Sequence, residues 1–293
     1  MNSMALTAGI MVGLAAALCW GVADFLAKTI IDRLGADGDL KALFWTRLFG
    51  LIPVFTLFFS TGAYLGFSVG ILPMLLTLGL LNFSAYYAFY RGIKKGEVSI
   101  VSPIVSSSAL VTVLLGVLFM GEVLDAARLA GVIALLIGVP LISLDLQRLR
   151  VARMNGLSAG TPEALIAMLC WGIMWALVGS WGKGLGWLLP IVGIRTTTFL
   201  LVSASSAAKG LRLGEGISVA LPVLAATGLL DASGYLLSSW AMSTELVSIV
   251  APLSCTFPAI TVLLAIRFLK ERLAPNQVAG VIATIAGVVL LSR

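Results

Sequence analysis

The sequence predicts an all-α polytopic membrane protein: ten transmembrane helices arranged as two inverted five-helix repeats. Composition, charge spacing and internal duplication lead there. Of the 293 residues, 60% are apolar and 11% are charged, against about a quarter charged in ordinary soluble domains. No Asp, Glu, Lys or Arg occurs in the 43 residues from Leu48 to Tyr90, nor in the 24 from Val98 to Gly121. Since about 20 apolar residues span a bilayer as a helix, the first stretch holds two crossings and the second holds one.

Cutting the chain at charge clusters and Gly/Pro turns predicts spans at 6–30, 42–60, 70–91, 98–120, 127–144, 163–182, 187–208, 218–240, 246–267 and 275–292. The opening MNSMALTAGIM has no basic stretch and runs into a long apolar segment, so it reads as the first helix and not as a cleaved signal peptide. The only long polar connection is Asp145–Glu163. It divides the chain into a first repeat (1–145), a linker (146–162) and a second repeat (163–293).

The two halves are copies. A shift of 149 lays VSIVSP (98–103) on VSIVAP (247–252), TVLL (112–115) on TVLL (261–264) and AGVIA (130–134) on AGVIA (279–283). Over 98–143 the shifted sequences share 21 identities in 46 positions, including Pro103 over Pro252, Glu122 over Glu271, Gly131 over Gly280 and Gly138 over Gly287. A shift of 151 lays LCWG (18–21) on LCWG (169–172). Five is odd, so the second copy enters the membrane from the opposite side. The repeat is therefore inverted, an architecture that recurs in secondary transporters with a midplane site between the repeats.

Two five-span halves, an aromatic-Gly motif in each first span, and VSxVxP followed by a GE or KE end and a GxxxxxxG helix resemble the EamA type of the drug/metabolite transporter superfamily. The resemblance covers both halves. It implies a secondary carrier, often an exporter of amino acids, metabolites or drugs, with spans one to four of each half around a cavity and the fifth spans outside. It implies no particular substrate.

Several chemistries lack their parts. There is no histidine, and Cys19, Cys170 and Cys255 stand alone without ligand spacing. Neither a metal site nor a disulfide framework is expected. No Walker A motif is present, so ATP is not expected as a cofactor. No GxSxG or other acid/base constellation points to an enzyme, and no catalytic residue is assigned. The net charge of +6 sits in short loops, which fits membrane topology and not nucleic-acid binding.

Charges inside spans are costly in hydrocarbon and usually face a cavity or a partner. Asp24 and Lys28, one turn apart, form either an internal ion pair or part of a cavity wall. Arg47 and Arg195 lie at nearly corresponding depths, ready either to bind a carboxylate or phosphate or to balance Asp24 and Asp231. Asp231 is the deepest charge. Its counterpart is Asn82, and Tyr86 matches Tyr235 one turn later. These four residues, with Trp20 and Trp171, make either a shared polar pocket or hydrogen bonds that merely join spans. The paired glycines Gly131/Gly138 and Gly280/Gly287 allow close helix approach. Glu122 and Glu271 are placed to cap the helix that follows each.

The expected function is a secondary active transporter of a small metabolite, such as an amino acid or other carboxylate, exporting by alternating access with Asp231 as the proton-switchable charge. The alternatives are an uncoupled exchanger and, from another class, a lipid scramblase. The expected partners are the substrate and the bilayer, with the chain working as a monomer in the plasma (inner) membrane. Loops opposite the N-terminus hold 13 Lys and Arg and those on its own side hold 3. By the positive-inside rule both termini are expected outside.

Overall fold

The computed structural model describes residues 3–30, 34, 38–95, 98–144, 160–269 and 274–291. The helices are α1 (Ser3–Ile30), α2 (Gly38–Ser60), α3 (Leu72–Lys95), α4 (Val98–Ser106), α5 (Ser108–Phe119), α6 (Ala126–Ser143), α7 (Thr161–Leu185), α8 (Leu188–Ala208), α9 (Leu221–Thr244), α10 (Val247–Ser254), α11 (Phe257–Leu269) and α12 (Pro275–Leu291). Seven of the described helices are long and apolar enough to cross a membrane, and shorter apolar helices lie among them. Of the predicted linker 146–162, only 160–162 are described.

Local chemistry explains the boundaries. Asp125 caps α6 by accepting the Arg128 N–H at 2.9 Å. Gly160, at φ 81°, precedes α7, and Pro162 occupies its first turn. At the start of α12 the Gln277 side chain accepts the Ala274 N–H, while Asn276 donates to the carbonyls of Leu141, in the last turn of α6, and Leu144, just after it. The beginning of the last helix thereby satisfies orphan carbonyls at the end of its counterpart.

The structure corrects two expectations. The predicted fourth and ninth spans are each broken in two, at Ser107 and at Cys255–Thr256, which correspond under the 149 shift. In the first, the Ser106 and Ser107 hydroxyls donate to the Pro103 carbonyl at 3.0 and 2.8 Å, competing with the backbone ladder. In the second, Pro258 has no N–H to offer the Ser254 carbonyl, and the Thr256 hydroxyl bonds Leu253 instead. Glu122 likewise does not cap the helix that follows it. It caps α10 in the other half. Glu271 and the Lys28 side chain lie outside the described residues.

The halves interleave, and their duplicated residues make duplicated contacts. α1 packs on α9 and on α11, while α7 packs on α3 and on α5. The Thr112 hydroxyl donates to the Gly172 carbonyl at 2.9 Å, and its counterpart Thr261 donates to the Gly21 carbonyl at 3.2 Å. A Cβ on Gly172 would strike Val111, and one on Gly21 would strike Ile260. Val111 and Ile260 are themselves counterparts.

α6 and α12 pack on one another through the paired glycines. A Cβ on Gly138 would lie 2.9 Å from the Gly280 carbonyl oxygen, and a Cβ on Gly280 would lie 2.8 Å from that of Gly138. Backbone faces backbone, so neither side can yield by changing a rotamer. Gly138→Ala and Gly280→Ala should each destabilise the purified protein by roughly 1–3 kcal/mol, read as a lowered thermal midpoint. An unchanged midpoint in both would show that the α6–α12 seam is not tightly packed.

Candidate functional site

Arg47 (α2), Arg195 (α8) and Asp231 (α9) meet at one oxygen. Arg47 Nη1 and Arg195 Nη1 each donate to Asp231 Oδ2 at 2.7 Å. Both guanidiniums are buried, at 3% and 0% exposure. Glycines permit this convergence: Gly228, one turn before Asp231, lies against the Thr46 carbonyl, and Gly50 lies against the Gly228 carbonyl.

Around the carboxylate stand two matching aromatic sets. The Arg47 guanidinium lies 4.4 Å from the Tyr86 ring centroid, and that of Arg195 lies 4.3 Å from the Tyr235 centroid. Such cation–π contacts help to offset desolvation. Trp171 meets Tyr86 edge-on at 4.9 Å, and Trp20 meets Tyr235 edge-on at 5.4 Å. The two Trp–Tyr–Arg sets are counterparts across the repeat.

The carboxylate is where they differ. Asn82, the counterpart of Asp231, is fully buried and spent on hydrogen bonds. Its Oδ1 accepts from Trp171 Nε1 at 3.1 Å and Tyr235 Oη at 2.9 Å, and its Nδ2 donates to Thr198 Oγ1 at 3.0 Å. Trp20 Nε1 donates to the Asp231 main-chain oxygen at 3.2 Å, through space left by Gly234.

The structure thus brings together all nine residues singled out from the sequence. Arg47, Arg195, Asp231, Tyr86 and Tyr235 form the charged centre, and Asn82, Trp20 and Trp171 buttress it. Asp24 lies at its edge, exposed and near enough to feel the charges of Asp231 and Arg47. Asp231 is not the isolated acid that its sequence surroundings imply, because the neighbours that neutralise it come from α2 and α8. Sequence reasoning missed Thr198 and Trp175. Trp175 packs against both Trp20 and Tyr235, and its position one turn after Trp171 is the signal that the sequence offers.

Arg47 Nε, Arg195 Nε and Arg195 Nη2 are buried without a hydrogen-bond partner. Buried guanidinium N–H groups left unpaired are costly. A guanidinium fork of this kind can accept the oxygens of a carboxylate or phosphate as partners.

A model of the EamA-like transporter family matches the chain twice, over residues 7–144 and 160–293. The chain belongs to this family of membrane transporters. The uncharacterized protein MJ1333.1 of Methanocaldococcus jannaschii is 49% identical over 59 residues, 20% of this chain and 43% of that protein. The match thus spans less than half the length of that curated relative. A solved structure, described only as a crystal structure of a protein, superposes with a TM-score of 0.74 over 97% of each chain at 15% identity. That likeness concerns the fold.

Removing one partner of a buried ion pair strands the other. Asp231→Asn leaves two buried guanidiniums without a counter-charge, so it should destabilise the protein by roughly 3–5 kcal/mol as well as impair function. A thermal midpoint equal to the wild type's would show that the triad is not the electrostatic centre described.

Proposed function

We propose that this chain is a secondary active transporter that carries a small carboxylate across the plasma membrane by alternating access, in the direction of export, and works as a monomer. The observation that carries the reading is the pair of buried guanidiniums with unpartnered N–H groups beside a single shared carboxylate. An incoming carboxylate supplies the missing acceptors. Counting each broken pair of half-helices as one crossing gives ten spans in two halves, whose boundaries we place at 1–145 and 163–293. The site draws residues from both halves and buries both guanidiniums, so passage past them requires the halves to rearrange, as inverted-repeat carriers do.

Proton coupling falls to Asp24 more readily than to Asp231. Asp231 already balances two guanidiniums, while Asp24 is exposed beside them. The runner-up, an uncoupled exchanger, uses the same site without Asp24.

In proteoliposomes the wild type should take up tracer succinate or alanine saturably, and Arg47→Gln with Arg195→Gln should abolish that uptake. An amine without a carboxylate should not compete. Undiminished uptake by the double variant would refute the carboxylate reading. Asp24→Asn should keep counterflow exchange while losing stimulation by a pH gradient. Stimulation equal to the wild type's would remove Asp24 from the coupling.

The 13-to-3 excess of Lys and Arg in the loops supports an orientation with both termini outside. The basic end includes Lys95, paired with Glu163, and Lys41, bonded to the Glu215 carbonyl. A reporter that fluoresces only in the cytoplasm, fused after Arg293, should stay dark. Bright cells would reverse the orientation.

A further inference from the structure

A second carboxylate joins the repeats, far from the charged triad in sequence and unlike it in chemistry. After α5, Gly121 at φ +67° turns the chain back, and the Glu122 N–H donates to the Gly116 carbonyl at 3.2 Å. This turn aims the Glu122 side chain, 6% exposed, into the other half. Its Oε1 accepts the Val247 N–H and its Oε2 the Ser248 N–H, both at 2.8 Å. Gly116 keeps the space open, since a Cβ there would lie 2.8 Å from Oε2.

The two donors are the first residues of α10, the half-helix severed from α11 at Cys255–Thr256. They are orphan N–H groups at a helix start, where the backbone dipole also favours a negative charge. α10 walls the candidate site: Val250 and Ala251 pack in the same core as Trp20, Trp175 and Tyr235. At its far end Ser254 accepts a hydrogen bond from Ser238 of α9 at 2.9 Å. One carboxylate of the first half therefore fixes a short, separable wall segment of the second.

We propose that Glu122 is a positioning residue for transport. Its carboxylate straps α10 closed at the end of the molecule where α1 begins, and its release lets this half-helix move so that the Asp231 site opens on that face. The break at Cys255–Thr256 supplies the hinge, and the ion-like hydrogen bonds make closure discrete. This rests on the alternating-access reading above, and it adds the group that holds one of the two gates.

Thiol labelling tests it without any substrate. Ser248 is fully buried and its hydroxyl has no partner, so Ser248→Cys places a reporter in the strapped turn. The protein in proteoliposomes is treated with a membrane-impermeant maleimide, and each thiol is read by mass spectrometry. With Glu122 present the reporter should be protected. Glu122→Gln should label it at least about tenfold faster, because one charge-assisted hydrogen bond is worth that factor in an opening equilibrium. Cys19 and Cys170, which lie outside α10 and its hinge, should label as before. Gly116→Ala, which crowds Oε2 but keeps the charge, should do the same and serves if Glu122→Gln does not fold.

Unchanged reporter labelling in a folded variant would overturn the proposal. A parallel rise at Cys19 and Cys170 would do so too, as it would make Glu122 a prop for the whole fold. Failure of both variants to fold would carry the same meaning. Carboxylate uptake measured on the Ser248→Cys protein separates this outcome from failure of the transporter reading.

Discussion

The rest of the structure depends on burying two guanidiniums against one carboxylate inside an apolar protein. Charges within hydrocarbon survive only when paired or turned toward a cavity, and a buried ion pair must recover a large desolvation cost through geometry. Arg47 comes from the first half, and Arg195 and Asp231 come from the second. The triad therefore forms only when the halves interleave. The close approach of α2 and α9 at Gly50 and Gly228, with the Tyr86 and Tyr235 rings over the guanidiniums, completes the same arrangement.

Symmetry builds this site, and departures from symmetry give it chemistry. The Trp–Tyr–Arg sets are near copies, and so are the Thr112 and Thr261 hydrogen bonds to the first-span glycines. Against that background, Asp231 stands opposite the neutral Asn82, and Asp24 stands opposite Trp175 under the 151 shift. Two acids on the symmetric frame would each have had an arginine. With Asn82 consumed by Trp171, Tyr235 and Thr198, both arginines turn to Asp231 and retain donor groups without acceptors.

Much of this was legible in the sequence, because long apolar runs and an internal repeat are one-dimensional signals. The charge-free stretches located α2, α3 and the α4–α5 pair, and the 149 shift put Asn82 with Asp231 and Gly138 with Gly280. Partners across the fold were not legible. Nothing near Asp231 in the chain announces that Arg47, 184 residues away, shares its oxygen with Arg195. The breaks at Ser107 and Cys255–Thr256 were hidden because apolar content is continuous through them, while side-chain hydroxyls and one proline interrupt the backbone ladder. By its place in the chain Glu122 reads as a cap for the nearest helix. Its true partner enters only through the inverted packing of the halves.

Under the proposed function, the two buried guanidiniums receive the substrate's carboxylate. The most direct measurement is an experimental structure of the protein in lipid with a bound small carboxylate. Density for the ligand's oxygens is expected within hydrogen-bond distance of Arg47 and Arg195, with the nitrogens now lacking acceptors engaged. A ligand bound elsewhere, with both guanidiniums still directed only at Asp231, would contradict it.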